Sequence, residues 1–82
     1  MMTFTAKLLD RTGANLGSHI GEFTVTHNKS DAYFTPPINI TATKEAQRAK
    51  LFVYKDGVVL FMTKDLNLDK GDVVTLNGFT LD

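Results

Sequence analysis

The first candidate for chemistry is an acidic segment, 65–72, with the sequence DLNLDKGD. Asp65, Asn67 and Asp69 place oxygen ligands at alternate positions, as in loops that bind calcium. The rest of the spacing does not fit, because the glycine comes at position seven instead of six and position twelve is Leu76 instead of glutamate. We interpret the segment as a short strand that enters a Lys-Gly-Asp turn, and we expect no metal and no other cofactor.

Nucleophilic and histidine-based chemistry is the second candidate. The chain has no cysteine, which excludes disulfide scaffolds, thiolate zinc sites and cysteine nucleophiles. Its two histidines, His19 and His27, are about 26 Å apart if they share a straight strand, too far to hold one metal ion. Ser18 points away from its neighbour His19 on a strand, and Ser30 lies in a predicted turn. We therefore expect no catalytic residue, no small-molecule substrate and no enzyme activity.

The third candidate is the run RAKLFVYK at 48–55, which alternates basic and aromatic residues. Sheets that bind single-stranded nucleic acid expose such residues, and Phe52, Tyr54 and Phe61 could stack on bases. However, nine Lys and Arg residues balance nine Asp and Glu residues, so the formal net charge is zero. This balance removes the usual electrostatic reason to expect nucleic acid or a membrane as partner. A core or a protein interface is the interpretation we favour for these aromatic side chains.

Short strands separated by turns would position these residues. Strands are predicted over 3–9, 19–27, 32–35 and 38–42, with a glycine-containing loop over 10–17. Only 43–50 has the composition of a helix, but it has almost no apolar face, so a turn of surface helix and an irregular bridge fit it equally well. About seven short strands in one 82-residue domain predict an all-β fold, a small antiparallel sandwich or barrel.

Two turn signals define the hairpins expected in the second half of the chain. Asn77-Gly78 and Asp56-Gly57 are preferred pairs for two-residue hairpins, whose central residues need positive φ. The first pair would join strands over 73–76 and 79–82. The second would join strands over 51–55 and 58–62.

Both faces of the hairpin over 51–62 are apolar in the register that its turn implies. One face carries Phe52, Tyr54, Val59 and Phe61; the other carries Leu51, Val53, Val58, Leu60 and Met62. A domain of this size can cover only one of them, so we expect the first face to contact other protein. The reverse assignment, with the first face as core, remains open.

The sequence between Ile38 and Asp82 contains several strand and turn features in a fixed order. They are the strand 38–42 after Thr35-Pro36-Pro37, the turn Lys55-Asp56-Gly57 between two apolar strands, the Leu66/Leu68 pair, and Lys70-Gly71-Asp72 before the last strand. In these features the chain resembles small all-β virion proteins of tailed bacteriophages, particularly capsid decoration or cement proteins and head–tail modules.

The resemblance implies a non-enzymatic structural protein that binds capsid or other virion protein, or forms a homo-oligomer. Its location would be the virion, after synthesis in the host cytoplasm. No signal peptide is expected, and the apolar run at 58–62 is far shorter than the ~18 residues of a membrane span. The alternatives are a phage-encoded module that docks on a host protein and, less favoured, a single-strand nucleic-acid binder.

Overall fold

The computed structural model describes residues 2–18, 23–27 and 32–80. These residues form no helix, and the predicted all-β fold is confirmed. The strands are β1 (Met2–Leu9), β2 (Asn15–Ser18), β3 (Phe23–His27), β4 (Ala32–Thr41), β5 (Ala46–Lys55), β6 (Val58–Met62), β7 (Leu66–Leu68) and β8 (Val73–Thr80). Residues 15–17 of strand β2 lie in the segment 10–17, which the sequence predicts to be a loop.

All strand pairs are antiparallel, in the order β6-β5-β1-β3-β4-β8, with β2 beside β1 and β7 beside β5. Strand β1 joins two sheets, because its residues Met2–Phe4 pair with β3 and its residues Thr5–Leu9 pair with β5. One sheet therefore contains β1, β2, β5, β6 and β7, and the other contains β3, β4 and β8. The arrangement is a small β-sandwich.

The core lies between the two sheets and follows the two-residue period of the strands. Alternate residues of β1 and β5 point inward and are almost inaccessible to solvent: Phe4, Ala6, Leu8, Ala49, Leu51 and Val53. The second sheet contributes Ile38 and Ile40 from β4 and Leu76 and Phe79 from β8. Each large side chain buried in this way stabilises the fold by about 1.5–3 kcal/mol, so Leu51 and Val53 fix which side of β5 faces inward.

The segment 43–50 contains no helical turn; residues 43–45 are an irregular connection, and the rest of the segment belongs to a strand. Strand β5 already begins at Ala46, and Lys50 pairs with Leu9 of β1. The backbone N–H of Thr43 donates to the carbonyl of Leu16 at 2.9 Å, which ties the start of this segment to β2. A two-turn helix without an apolar face offers little burial, whereas the strand buries Ala49 completely.

The predicted hairpin at Asn77-Gly78 is also wrong, because both residues lie inside the continuous strand β8. Gly78 pairs with Phe34 of β4, and its φ is not positive. A Cβ atom on Gly78 would lie 2.9 Å from the carbonyl oxygen of Tyr33, so the glycine allows close approach of two strands and not a turn.

The pairing of β4 with β8 contains a bulge. It advances four residues along β4, from Phe34 to Ile38, but only two along β8, and the bulge contains Pro36 and Pro37. The rest of the predicted second strand, 81–82, lies outside the described residues.

Candidate functional site

The turn between β5 and β6 positions the site predicted from the sequence. Asp56 and Gly57 both have positive φ, 52° and 80°, and Lys55 pairs with Val58 across them. Tyr54 pairs with Val59, as the two-residue turn requires. The Asp56-Gly57 hairpin is therefore present at the predicted residues.

Beyond Tyr54 the predicted register is wrong, because Leu60 forms a bulge. Val53 pairs with Phe61, and Phe52 pairs with Met62, each one residue later than the turn alone implies. Phe61 consequently lies on the core side of the hairpin, where its ring stacks on Phe79 with 5.2 Å between ring centroids. On the opposite side of the sheet, Met62 takes the place that the predicted register gives to Phe61.

The side of this hairpin that faces away from the core carries four apolar residues, and we call it the outer face: Phe52, Tyr54, Val59 and Met62. Phe52 and Tyr54 are half-buried, and their ring centroids are 6.3 Å apart. Val59 and Met62 retain 47% and 54% exposure. The protein-interface role predicted for Phe52, Tyr54 and Val59 stays a prediction, and the structure places these three side by side.

A lysine from the neighbouring strand joins the outer face. Lys7 of β1 pairs with Phe52, and its ammonium lies 5.5 Å from the centre of the Tyr54 ring. Such a contact stabilises an exposed pair by about 0.5–1 kcal/mol. The outer face therefore combines aromatic surface with a cation that is not buried.

A shallow cleft of about 250 Å³ adjoins the outer face at the other end of β5. We call it the basic cleft, and its lining residues are Asp10, Arg11, Arg48, Lys50, Phe52 and Asp65. Arg48 enters it from a bulge, since β5 advances three residues between Ala46 and Ala49 while β7 advances two. At this bulge Arg48 has a φ of 57°, in the left-handed region that costs a non-glycine residue about 1–2 kcal/mol.

The charges of the basic cleft do not cancel. Lys50 lies 3.7 Å from Asp65, with both side chains accessible to water. The carboxylate of Asp10 accepts hydrogen bonds from the Thr12 hydroxyl at 2.6 Å and from the N–H groups of Thr12 and Ala14. These bonds, with the Thr12 hydroxyl contributing most, lower the pKa of Asp10 and orient its carboxylate toward its own turn. In the part of the chain that the structure describes, Arg11 and Arg48 form no ion pair, so the cleft is positively charged.

The calcium-like segment forms strand β7 and the turn that follows it, as predicted. Asn67 Oδ1 accepts the N–H of Arg48 at 3.3 Å, and the Asp72 carboxylate accepts the N–H of Asp69 at 2.8 Å. Over 2–18, 23–27 and 32–80, no three His, Asp or Glu side chains are grouped as metal ligands. His19 and Ser30 lie outside the described residues.

Sequence reasoning did not identify the basic cleft or the place of Met62 and Lys7 on the outer face. Each of them depends on a bulge or on a strand pairing between distant residues. The alternation of Lys50, Phe52 and Tyr54 along β5 is the one signal in the sequence that points to this side of the sheet.

The chain was compared with family models, curated proteins and solved structures, and none of them matches it. In the described residues no helix is long and apolar enough to cross a membrane.

Proposed function

We propose that this chain is a non-catalytic structural subunit whose outer face binds a second copy of the chain. The observation that carries this proposal is the apolar outer face, where Val59 and Met62 are about half exposed beside the half-buried rings of Phe52 and Tyr54. The other side of the same sheet already holds the core through Leu51 and Val53. The strands that the structure describes form two layers, and on the outer face Val59 and Met62 keep about half of their surface accessible to a partner.

The size of the domain supports an assembly of copies. A stable protein interface buries about 800 Å² on each partner. This is a modest part of the 5380 Å² accessible surface, and one side of a five-stranded sheet can supply it. Small domains have small cores, and binding a second copy stabilises the folded state by mass action.

The polar residues around the hairpin support a structural role. The carboxylates of Asp10 and Asp72 accept hydrogen bonds from backbone groups in their own turns. The Thr63 hydroxyl accepts the N–H of Leu51 at 3.0 Å, next to the hairpin. These side chains organise turns and strand ends.

The resemblance of 38–82 to phage decoration proteins supports the further proposal that the assembly belongs to a virion. Copies joined by their outer faces would add protein contacts to a capsid or a head–tail connection. The partners would then be the chain itself and shell protein.

Binding of single-stranded nucleic acid is the second candidate, and one observation favours it. Lys50, Phe52 and Tyr54 lie on the same side of β5, and Lys7 lies beside Phe52. Aromatic rings interleaved with cations form the surface on which unpaired bases stack.

Sedimentation velocity over a range of protein concentrations tests the proposed function. We expect the wild-type chain to form dimers, and Tyr54→Ser to weaken the dimer about tenfold or more while leaving the far-UV circular dichroism unchanged. Phe34→Ser is the matched control, because Phe34 is 53% exposed but lies on β4, away from the outer face. It should dimerise as the wild type does.

A wild-type chain that stays monomeric at every concentration would contradict the proposed function. A fluorescent single-stranded oligonucleotide, added to the same samples, tests the second candidate. Salt-sensitive binding of the oligonucleotide by a monomer, lost in Tyr54→Ser, would replace the first proposal by the second.

A further inference from the structure

This inference rests on the proposed function, and it concerns how two copies meet. The two ends of the outer face differ in charge. At one end is the basic cleft with Arg11 and Arg48, and at the other is the exposed turn residue Asp56. Lys55 also lies at the turn, but it alternates with Tyr54 and so stands on the opposite side of the strand. At this end of the outer face, the exposed acidic group is therefore the carboxylate of Asp56.

We propose that two copies pack outer face to outer face with their β5 strands antiparallel, so that Arg48 of each copy pairs with the partner's Asp56. Phe52 is the midpoint between Arg48 and Asp56 in the sequence, four residues from each. A two-fold axis at the level of Phe52 therefore brings the basic cleft of one copy over the turn of the other. The same contact forms twice, as two-fold symmetry requires.

Charge complementarity distinguishes this arrangement from the two-fold arrangement in which the β5 strands run parallel. If the β5 strands ran parallel, the axis would lie along β5 and each basic cleft would face its symmetry mate. Arg11 and Arg48 would then meet two further guanidinium groups, and like charges in close contact disfavour association. In the antiparallel arrangement each cleft meets an acidic residue, and the aromatic centre of the outer face is buried in both cases.

The backbone at both ends of the outer face supports specific contacts there. Arg48 and Asp56 are the two non-glycine residues with positive φ among those that the structure describes. Both are held in this conformation by strand geometry, Arg48 by its bulge and Asp56 by the hairpin turn. A positive φ gives the side chain a direction different from that of its neighbours in a regular strand.

A double-mutant cycle of dimer dissociation constants tests the pairing. Arg48→Gln and Asp56→Asn each remove one charge, and asparagine tolerates the positive φ of the turn. We expect each substitution to raise the dissociation constant about three- to tenfold, and the double variant to resemble the single variants, because the second change removes no further contact. Lys70→Gln, in a turn outside the outer face and the basic cleft, is the control and should have no effect.

Cross-linking provides a second test, and the absence of native cysteine makes it specific. Arg48→Cys and Asp56→Cys are prepared as separate proteins, one of them with a mass tag, and treated with a short bismaleimide. We expect covalent heterodimers in the mixture and no covalent dimer of either protein alone. Dimerisation of Arg48→Cys alone would indicate the parallel arrangement and overturn the inference.

The outcomes separate this inference from the proposed function. If the wild type never dimerises, the proposed function fails, and the inference fails with it. A different result would be that Tyr54→Ser abolishes the dimer while Arg48→Gln and Asp56→Asn leave the dissociation constant unchanged, or that the double variant raises it by the product of the two single effects. In either case the outer face binds a second copy in another orientation. That result would overturn the inference alone.

Discussion

The bulge at Leu60 makes a quantitative prediction about two aromatic residues on opposite sides of one hairpin. Phe61 lies on the core side and stacks on Phe79, which is nearly inaccessible to solvent. Truncating a fully buried phenylalanine to alanine costs about 3–5 kcal/mol, and Phe61 is about half-buried. We therefore expect Phe61→Ala to lower the free energy of unfolding by about 2–3 kcal/mol, a large part of the stability of a small domain.

Tyr54→Ala is the matched control for this prediction. Tyr54 is also half-buried, but its contacts are the Phe52 ring and the Lys7 ammonium at the surface. Its loss should cost about 1 kcal/mol or less in the monomer. Urea unfolding followed by far-UV circular dichroism, at a concentration where the chain is monomeric, measures both variants. If Tyr54→Ala lowers the free energy of unfolding as much as Phe61→Ala does, or more, the bulge is refuted. The register in which Phe61 faces outward would then be restored.

Three other predictions test separate features of the fold. Gly78→Ala should destabilise the domain by about 1–3 kcal/mol in urea unfolding, because its Cβ would lie 2.9 Å from the Tyr33 carbonyl oxygen; a stabilised variant would exclude this close approach. Arg48→Gly should raise the free energy of unfolding by up to about 1 kcal/mol, since glycine adopts positive φ without strain, and a loss would contradict the left-handed conformation. The pKa of Asp10 is lowered in the fold, so its contribution to stability is complete above about pH 4 and is lost as the pH falls through the lowered value. As the pH is lowered, the melting temperature of Asp10→Asn should therefore fall less than that of the wild type. Identical pH profiles of the melting temperature would contradict a stabilising role of the Asp10 carboxylate.

The parts of the fold that could be predicted are those fixed by neighbouring residues. The Asp56-Gly57 turn follows from the preference of this pair for positive φ. The sequence leaves the inward side of β5 open, because Phe52 and Tyr54 alternate with Leu51 and Val53 and both sides of the strand are therefore apolar. The same local reasoning failed at Asn77-Gly78. There the pairing of β8 with β4 across a long sequence separation outweighs the preference of the dipeptide for a turn.

The candidate site was predicted in part, and the reason lies in the bulges. Leu60, Phe61 and Met62 are all apolar, so nothing in their order shows which of them is the extra residue. In the shifted register Phe61 contacts Phe79, which lies eighteen residues later in the chain. A pattern of neighbouring residues does not show such a contact. The position of Arg48 in the basic cleft depends in the same way on a bulge opposite β7, which no local pattern reveals.

The most direct test of assembly through the outer face is the solvent accessibility of Tyr54 as the protein is diluted. The chain has two tyrosines and no tryptophan, so Tyr33→Phe makes Tyr54 the only fluorophore of its kind. We predict that acrylamide quenches its fluorescence strongly in dilute solution and weakly at concentrations where sedimentation shows a dimer. Quenching that stays constant while the dimer forms would contradict the account, because the two copies would then meet through another surface.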